Sequence, residues 1–359
     1  MVFAFNLLYT TICSFCFSRF YNINKYKYIS YILFLLPIWS IWLIICGGQY
    51  KVGTDYESYY HIFKNVDTHL YIQNREFLFV WITELSAFLN LPPQTPFYIF
   101  YFIGFFLFLL IISKLEHKTS FIFIILYLAV SNVFNNQLNG LRQYTAIYIY
   151  TLAFFYLYKN NGIIKYIICI LTASLIHASS IILLPLAAFK LKHNYNIKTL
   201  KSIFLLSIVF SLFGNFDWLL SVFDFLIPTH YRHYIEGTFN TSHSFTTLIT
   251  KLMYIPLYWY SFKLIKQRKL QNFDLYLYNI GMISYSLRLF FLNNYILNRV
   301  GDSLTLISIF PLYYLLRDLY LRKENGIFSV IILFFLSFYL LKVVVFPKQE
   351  YLYNSIYFL

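Results

Sequence analysis

Residues 163–190 read IIKYIICILTASLIHASSIILLPLAAFK, with no charged side chain between Lys165 and Lys190. Lipid admits only helices or closed barrels, and the period-2 alternation of a barrel strand is absent, so the stretch is read as helical. A straight helix of this length would measure about 40 Å, too long for one untilted crossing of a hydrocarbon core about 30 Å thick. His177-Ala178-Ser179-Ser180 interrupts it near the middle.

Charge decides between one crossing and a hairpin, because cytoplasmic segments collect Lys and Arg. One crossing would put Lys190/Lys192/Lys198/Lys201, Lys263/Lys266/Arg268/Lys269 and Arg317/Arg322/Lys323 outside. Two short crossings, or a re-entrant hairpin tipped by His177, put all three clusters inside. They then join Arg19/Lys25/Lys27, Lys114/Lys118 and Lys159/Lys165, which places 18 of the 28 basic residues on the cytoplasmic side. The hairpin is the reading adopted, and both termini then lie outside.

The rest of the chain fits this solvent. Sixty per cent of its residues are hydrophobic and 12% are charged, against about 25% charged in soluble domains. Mean hydropathy is +0.62. These values exclude an ordinary soluble domain, a disordered chain and a disulfide scaffold. The net charge of +14 invites a nucleic-acid reading, but the basic residues fall in short clusters between apolar runs, so no nucleic-acid partner is expected. Spans are expected at about 1–18, 29–48, 96–113, 120–136, 141–158, 163–176, 178–190, 198–213, 246–264, 273–292, 302–320 and 327–346. The first has no basic residue ahead of Arg19 and is read as a span, not a cleavable signal. The fold class is an all-α polytopic membrane protein of about twelve transmembrane helices. Residues 1–359 form a single integral membrane domain with larger outer-face loops at about 49–95 and 214–245. In the first loop, Arg75–Asn90 has an amphipathic helical pattern, with Glu76 and Thr83 on one face and Phe77, Trp81, Leu85 and Phe88 mostly elsewhere. In the second, Phe216–Ile227 aligns Asp217, Ser221 and Asp224 before Pro228.

The residues that break the apolar pattern are the candidates for function. Arg makes up 4 of the 18 inner basic residues but 5 of the 10 outer ones: Arg75, Arg142, Arg232, Arg288 and Arg299. Lys alone would serve topology. The Arg fork donates paired hydrogen bonds to phosphate and keeps its charge when partly buried. Arg142, Arg288 and Arg299 lie at or near outer span ends, and Arg288 sits about one turn inside its span. The alternative is that these arginines snorkel to lipid headgroups or pair with Asp302, Glu76 or Asp55. Asp55 is placed either to take a proton from a hydroxyl or, with Thr54, to cap a helix starting at Tyr56. Glu76 opens the amphipathic segment, where dipole compensation is the alternative role. His177 is a lone polar residue at the hairpin tip. The His230-Tyr231-Arg232-His233 tract with His243 and the four cysteines have no spacing that makes a metal site. Nucleotide-phosphate loops are absent from the sequence.

Val52-Gly53-Thr54-Asp55-Tyr56-Glu57-Ser58-Tyr59-Tyr60-His61-Ile62-Phe63, followed by Glu76-Phe77-Leu78-Phe79, resembles the opening loop of the EpsG-like membrane proteins, which belong with the Wzy-type polysaccharide polymerases. Asn139-Gly140-Leu141-Arg142-Gln143 and Leu175-Ile176-His177-Ala178-Ser179 resemble the middle of that family. Asn298-Arg299-Val300, ahead of a span containing Pro311, resembles its C-terminal part. The motifs run in order over most of the chain, and together they point to the family but not to one substrate.

The resemblance implies a glycosyltransferase in the bacterial cytoplasmic (inner) membrane. It would join undecaprenyl-pyrophosphate-linked oligosaccharide repeat units, donor to acceptor, at the outer face, with a chain-length regulator as a further partner. Catalytic roles then fall to Asp55, Glu76, Arg142 and Arg299. The arginines hold the pyrophosphate as negative charge develops on it, and Asp55 or Glu76 orients or deprotonates the accepting hydroxyl. Arg75, Gln143, His177 and Arg288 are expected to bind substrate. No metal and no cofactor is expected. The rivals are a lipid-linked oligosaccharide flippase, which would want charges along a central cavity, an O-antigen ligase-type transferase, which shares the arginine chemistry, and a polysaccharide acyltransferase.

Overall fold

The computed structural model describes residues 1–21, 23, 26–158, 162–187, 196–213, 250–267, 269–270, 272–293, 295–347 and 351–358. Lys25, Lys159, Lys190, Lys192 and Arg268 of the basic clusters lie outside the described residues, as does the whole 214–245 loop with Asp217, Ser221, Asp224, Arg232 and its histidines. The described residues are helical, without a strand.

The first helix shows why. In α1 (Val2–Tyr21), Asn6, Thr10, Ser14 and Ser18 recur every fourth residue and are all buried, whereas Phe5, Leu8, Ile12 and Phe15 face outward. Thr10 Oγ1 donates to Asn6 Oδ1 at 3.2 Å and accepts Trp42 Nε1 at 3.1 Å. Polar side chains thus turn into the protein while apolar ones face outward, as a hydrocarbon solvent requires. Among the described residues, four helices are long and apolar enough to cross a bilayer: α1, α2 (Lys27–Gly47), and two further along the chain, Thr95–Ile112 and Asn325–Val345. A helix pair bent by 62°, Leu297–Ser303 with Thr305–Leu321, makes a fifth when taken as one span.

The expected count of about twelve spans is not confirmed, for local reasons. Between α2 and the third apolar helix lie α3 (Tyr56–Asn65) and α4 (Phe77–Phe88), followed by α5 (Thr95–Ile112). The expected span at 120–136 is instead a ten-residue helix, α6 (Ser120–Ala129), broken where Asn132 takes a left-handed conformation at φ 58°. α7 (Leu141–Leu157) has 17 residues, about 26 Å. α8 (Gly162–Ser174) leads into a 3-10 helix over Ala178–Ala187 with Pro185 inside it. The Tyr166 hydroxyl donates to the Leu183 carbonyl at 2.7 Å, so the two limbs fold back on each other with His177 in the reversal. α9 (Ile197–Phe213) is again 17 residues. α10 (Ile255–Lys266) has Pro256 in its first turn, and residues 246–249 of the span expected at 246–264 lie outside the described residues. α11 (Asn272–Phe290) carries Asp274 and Arg288. α12 (Tyr295–Ser303), α13 (Thr305–Leu321) and α14 (Asn325–Val345) follow, with a last 3-10 turn at Ile356–Phe358.

Contacts gather the chain into two compact units, Met1–Lys190 with Leu316–Leu359, and Leu191–Leu315. In the first, Trp42 stands among Phe105, Phe108, Tyr127 and Phe134. Both ends of the 49–95 loop are tied down. Gln94 Nε2 donates to the Gly47 and Gln49 carbonyls at 2.6 and 3.0 Å. The C-terminal tail adds Tyr50 N to Asn354 O at 3.0 Å and Ile356 N to Gly48 O at 2.9 Å. Within the loop, α4 buries Glu76 and Thr83 and exposes Phe77, Trp81, Leu85 and Phe88. The polar side faces the protein and the apolar side faces out, which fits a helix lying in or dipping into the membrane interface.

In the second unit, Tyr258 of α10 stacks on Tyr285 of α11 at 3.6 Å between ring centroids. The Tyr258 hydroxyl donates to the Ser308 carbonyl and that of Tyr285 to the Lys251 carbonyl, both at 2.7 Å. Gly281 lets α11 approach Pro311 closely, where a Cβ would collide with the proline ring.

Candidate functional site

The Gly53-Thr54-Asp55 turn is set by Asn139. Its Oδ1 accepts the Thr54 amide at 2.7 Å and the Asp55 amide at 3.4 Å. Gly53 has φ +76°, and a Cβ there would overlap the Asn139 amide, so both conformation and space require glycine. Asp55 occupies the N-cap position of α3 but makes no side-chain capping bond. Its carboxylate is exposed, accepts Thr54 Oγ1 at 3.1 Å, and has no ion-pair partner among the described residues. Neighbouring Glu57 forms an exposed pair with Lys51 at 3.6 Å.

Three residues after Asn139, Arg142 enters a buried cluster. Its Nη1 pairs with Glu76 Oε2, and its Nε donates to the Tyr59 hydroxyl at 3.3 Å. The guanidinium lies 4.5 Å from the Tyr71 ring centre and 5.2 Å from that of Phe79, a cation–π cage. Glu76 is only 3% exposed. Its other oxygen accepts the Ala178 amide at 2.8 Å and stands 3.7 Å from His177 Nδ1. The first-turn amide of α4 at Leu78 donates in return to the Leu175 carbonyl at 2.9 Å. The hairpin tip and the start of α4 therefore satisfy each other's free backbone groups, and Arg142 closes the arrangement from the start of α7.

Burial pushes the Glu76 carboxyl up. His177, the Arg142 guanidinium and the Ala178 amide together outweigh burial and hold it below its ordinary value. Arg75, also left-handed at φ 61°, turns the chain just ahead of Glu76 and stays exposed, while Gln143 is half-buried beside Arg142.

A second polar cluster lies in the second unit. Arg288 Nη1 donates to Ser308 Oγ at 3.0 Å, and its Nη2 lies 3.7 Å from Asp302 Oδ1. Lys251 Nζ donates to Asn298 Oδ1 at 2.6 Å and to Asp302 Oδ1 at 3.4 Å. Arg299 stands exposed on α12.

Of the residues expected from the sequence, Glu76, Arg142 and His177 come together, and Asp55 is fixed through Asn139 to the segment that carries Arg142. Arg288 belongs to the other cluster. The pairings weighed as the alternative for the arginines, with Glu76 and Asp302, are both present. Sequence reading missed the Tyr59–Tyr71–Phe79 cage, whose aromatics are hidden in a chain that is 23% aromatic. It also passed over Lys251, although an ionisable residue inside an expected span is a signal in itself. Among the described residues, no three His, Cys, Asp or Glu side chains are grouped to hold a metal ion.

The family model described as the EpsG family matches residues 31–355. The chain belongs to the EpsG family. That is a family of Wzy-type polymerases, and EpsG membership with the apolar helices makes this a polysaccharide-polymerase-type, multi-pass membrane protein. No curated protein and no solved structure matches the chain. The matched range takes in both polar clusters of this EpsG-family chain and every motif quoted above.

Proposed function

We propose that this EpsG-family protein polymerises undecaprenyl-pyrophosphate-linked oligosaccharide repeat units at the outer face of the bacterial cytoplasmic membrane, as an integral membrane protein of about twelve crossings. The supporting observation is the convergence of Glu76, Arg142 and His177 from three separate segments, beside an exposed Asp55 whose backbone the same segment fixes. In the reaction, the bond between the donor's anomeric carbon and its pyrophosphate oxygen breaks. A new bond forms from that carbon to an acceptor hydroxyl oxygen. The hydroxyl proton passes to the Asp55 carboxylate, and the carrier pyrophosphate leaves with the electron pair.

Asp55 suits the base because its carboxylate is open to a sugar hydroxyl. Glu76 does not, because both of its oxygens are engaged within the protein, so it acts as a positioning residue. Arg142 bonds within the protein through Nε and Nη1, which leaves Nη2 as the donor it offers to substrate, and Arg75, Gln143 and His177 are the further substrate-binding residues of this reading. In the second unit, Arg288 and Arg299 are the guanidinium donors assigned by the same reading to a pyrophosphate. Deleting the gene tests the reading. Surface glycan should fall to single repeat units on the final acceptor with the ladder lost, whereas loss of all surface glycan would indicate a flippase or a ligase-type transferase.

A further inference from the structure

The two polar clusters differ in charge balance. In the first unit one guanidinium meets one carboxylate, and both carboxylate oxygens are taken. In the second unit two cations, Lys251 and Arg288, share Asp302, and both approach the same oxygen, Oδ1. Asn298 Nδ2 donates to the other oxygen, Oδ2, at 3.3 Å. Arg288 Nε is buried and without a hydrogen-bond partner among the described residues. The Lys251, Arg288 and Asp302 side chains are 16%, 14% and 29% exposed, so the surplus positive charge is largely buried yet not closed off. An uncompensated cation in such a place is costly unless an anion joins it.

The backbone is built to hold the cluster. Gly301 brings α12 against α11, where a Cβ would stand 3.2 Å from Arg288 Cα. Asp302 precedes the 62° break between α12 and α13, so its carboxylate sits at a helix interruption.

We propose that Lys251 and Arg288 form a binding site for a phosphate-bearing group, with Asp302 standing in for the ligand when the site is empty. Asp302 holds both cations around one anionic oxygen, and an incoming phosphate oxygen takes that position. Lys251 is then a binding residue, Arg288 supplies Nε and Nη2, and Asp302 is a competitor whose removal favours the ligand. Assigning the phosphate to the diphosphate of a lipid-linked glycan rests on the proposed function, while the anion site itself does not.

The full-length protein in phosphatidylcholine nanodiscs, titrated with inorganic pyrophosphate, tests this by calorimetry. Lys251→Gln should weaken binding about tenfold or more. Asp302→Asn should tighten it several-fold, a sign that a merely structural salt bridge would not give. Adding phosphatidylglycerol separates the sources. Competition with pyrophosphate that depends on Lys251 assigns the site to a lipid headgroup, and its absence assigns it to the diphosphate; either keeps the anion site. Wild-type affinity in Lys251→Gln, or weakened binding in an Asp302→Asn protein that melts like wild type, overturns it. Lys251-dependent pyrophosphate binding in a protein that makes no glycan ladder would keep the site and discard the polymerase reading.

Discussion

Glu76 and Arg142, 66 residues apart, form a buried ion pair that closes the 49–95 loop onto the start of α7. The second Glu76 oxygen holds the Ala178 amide at 2.8 Å, so one carboxylate joins three segments of the chain. The positive charge of Arg142 is matched inside the protein, whereas Lys251 and Arg288 divide a single carboxylate between them. The first cluster is balanced in charge, and the second holds one cation more than its carboxylate matches.

Breaking that pair from one side leaves a buried charge unmatched. Glu76→Gln and Arg142→Gln should each destabilise the solubilised protein by about 3–5 kcal/mol. The double variant should lose less than the sum, as measured by thermal melting in a double-mutant cycle. Strict additivity would mean that the two residues do not act together. Arg142→Lys retains the charge but loses the fork on Tyr59 and Glu76, so protein level should hold while polymerisation falls sharply.

Asp55 is exposed and makes no ion pair among the described residues, so its removal should affect chemistry more than folding. Asp55→Asn should lower the polymerisation rate by about 10²-fold or more without moving the melting temperature. Full activity in this variant would take Asp55 out of the reaction.

The pH dependence of stability follows from the lowered Glu76 carboxyl. A carboxyl whose folded pKa is depressed adds stability that is present above its unfolded pKa, about 4.3 for Glu, and is lost as pH falls through the folded value. The melting temperature should therefore stay flat from pH 7 down to about 5 and drop below about 4, and Glu76→Gln should remove part of that drop. An equal acid drop in Glu76→Gln would assign it to other groups.

Topology is tested by cysteine labelling in a background lacking Cys13, Cys16, Cys46 and Cys169. Lys266→Cys should react only from the cytoplasmic side and Arg75→Cys only from outside. Labelling of Lys266→Cys from outside would mean that residues 163–190 cross once.

The broad architecture was legible because a bilayer demands a coarse pattern. Apolar runs mark α1, α2, α5 and α14, and the Glu76/Thr83 face of α4 follows from helical spacing alone. The number of crossings was less legible, since Asn132 and Pro185 alter the backbone locally inside stretches whose composition stays apolar. In the site, the motifs around Asp55, Glu76, Arg142 and His177 drew attention separately. Their meeting depends on backbone bonds such as Leu78 to Leu175, which no side-chain pattern records. Lys251 and Asp302 are 51 residues apart, and only the fold of the second unit brings them together.

Reconstitution is the most direct measurement. The purified protein in proteoliposomes would receive undecaprenyl-pyrophosphate-linked single repeat units as the sole glycan, and the lipid-linked products would be resolved by size. A ladder of two, three and more units, absent with Asp55→Asn, is the expected result. Single units carried across the bilayer but never joined would contradict polymerisation.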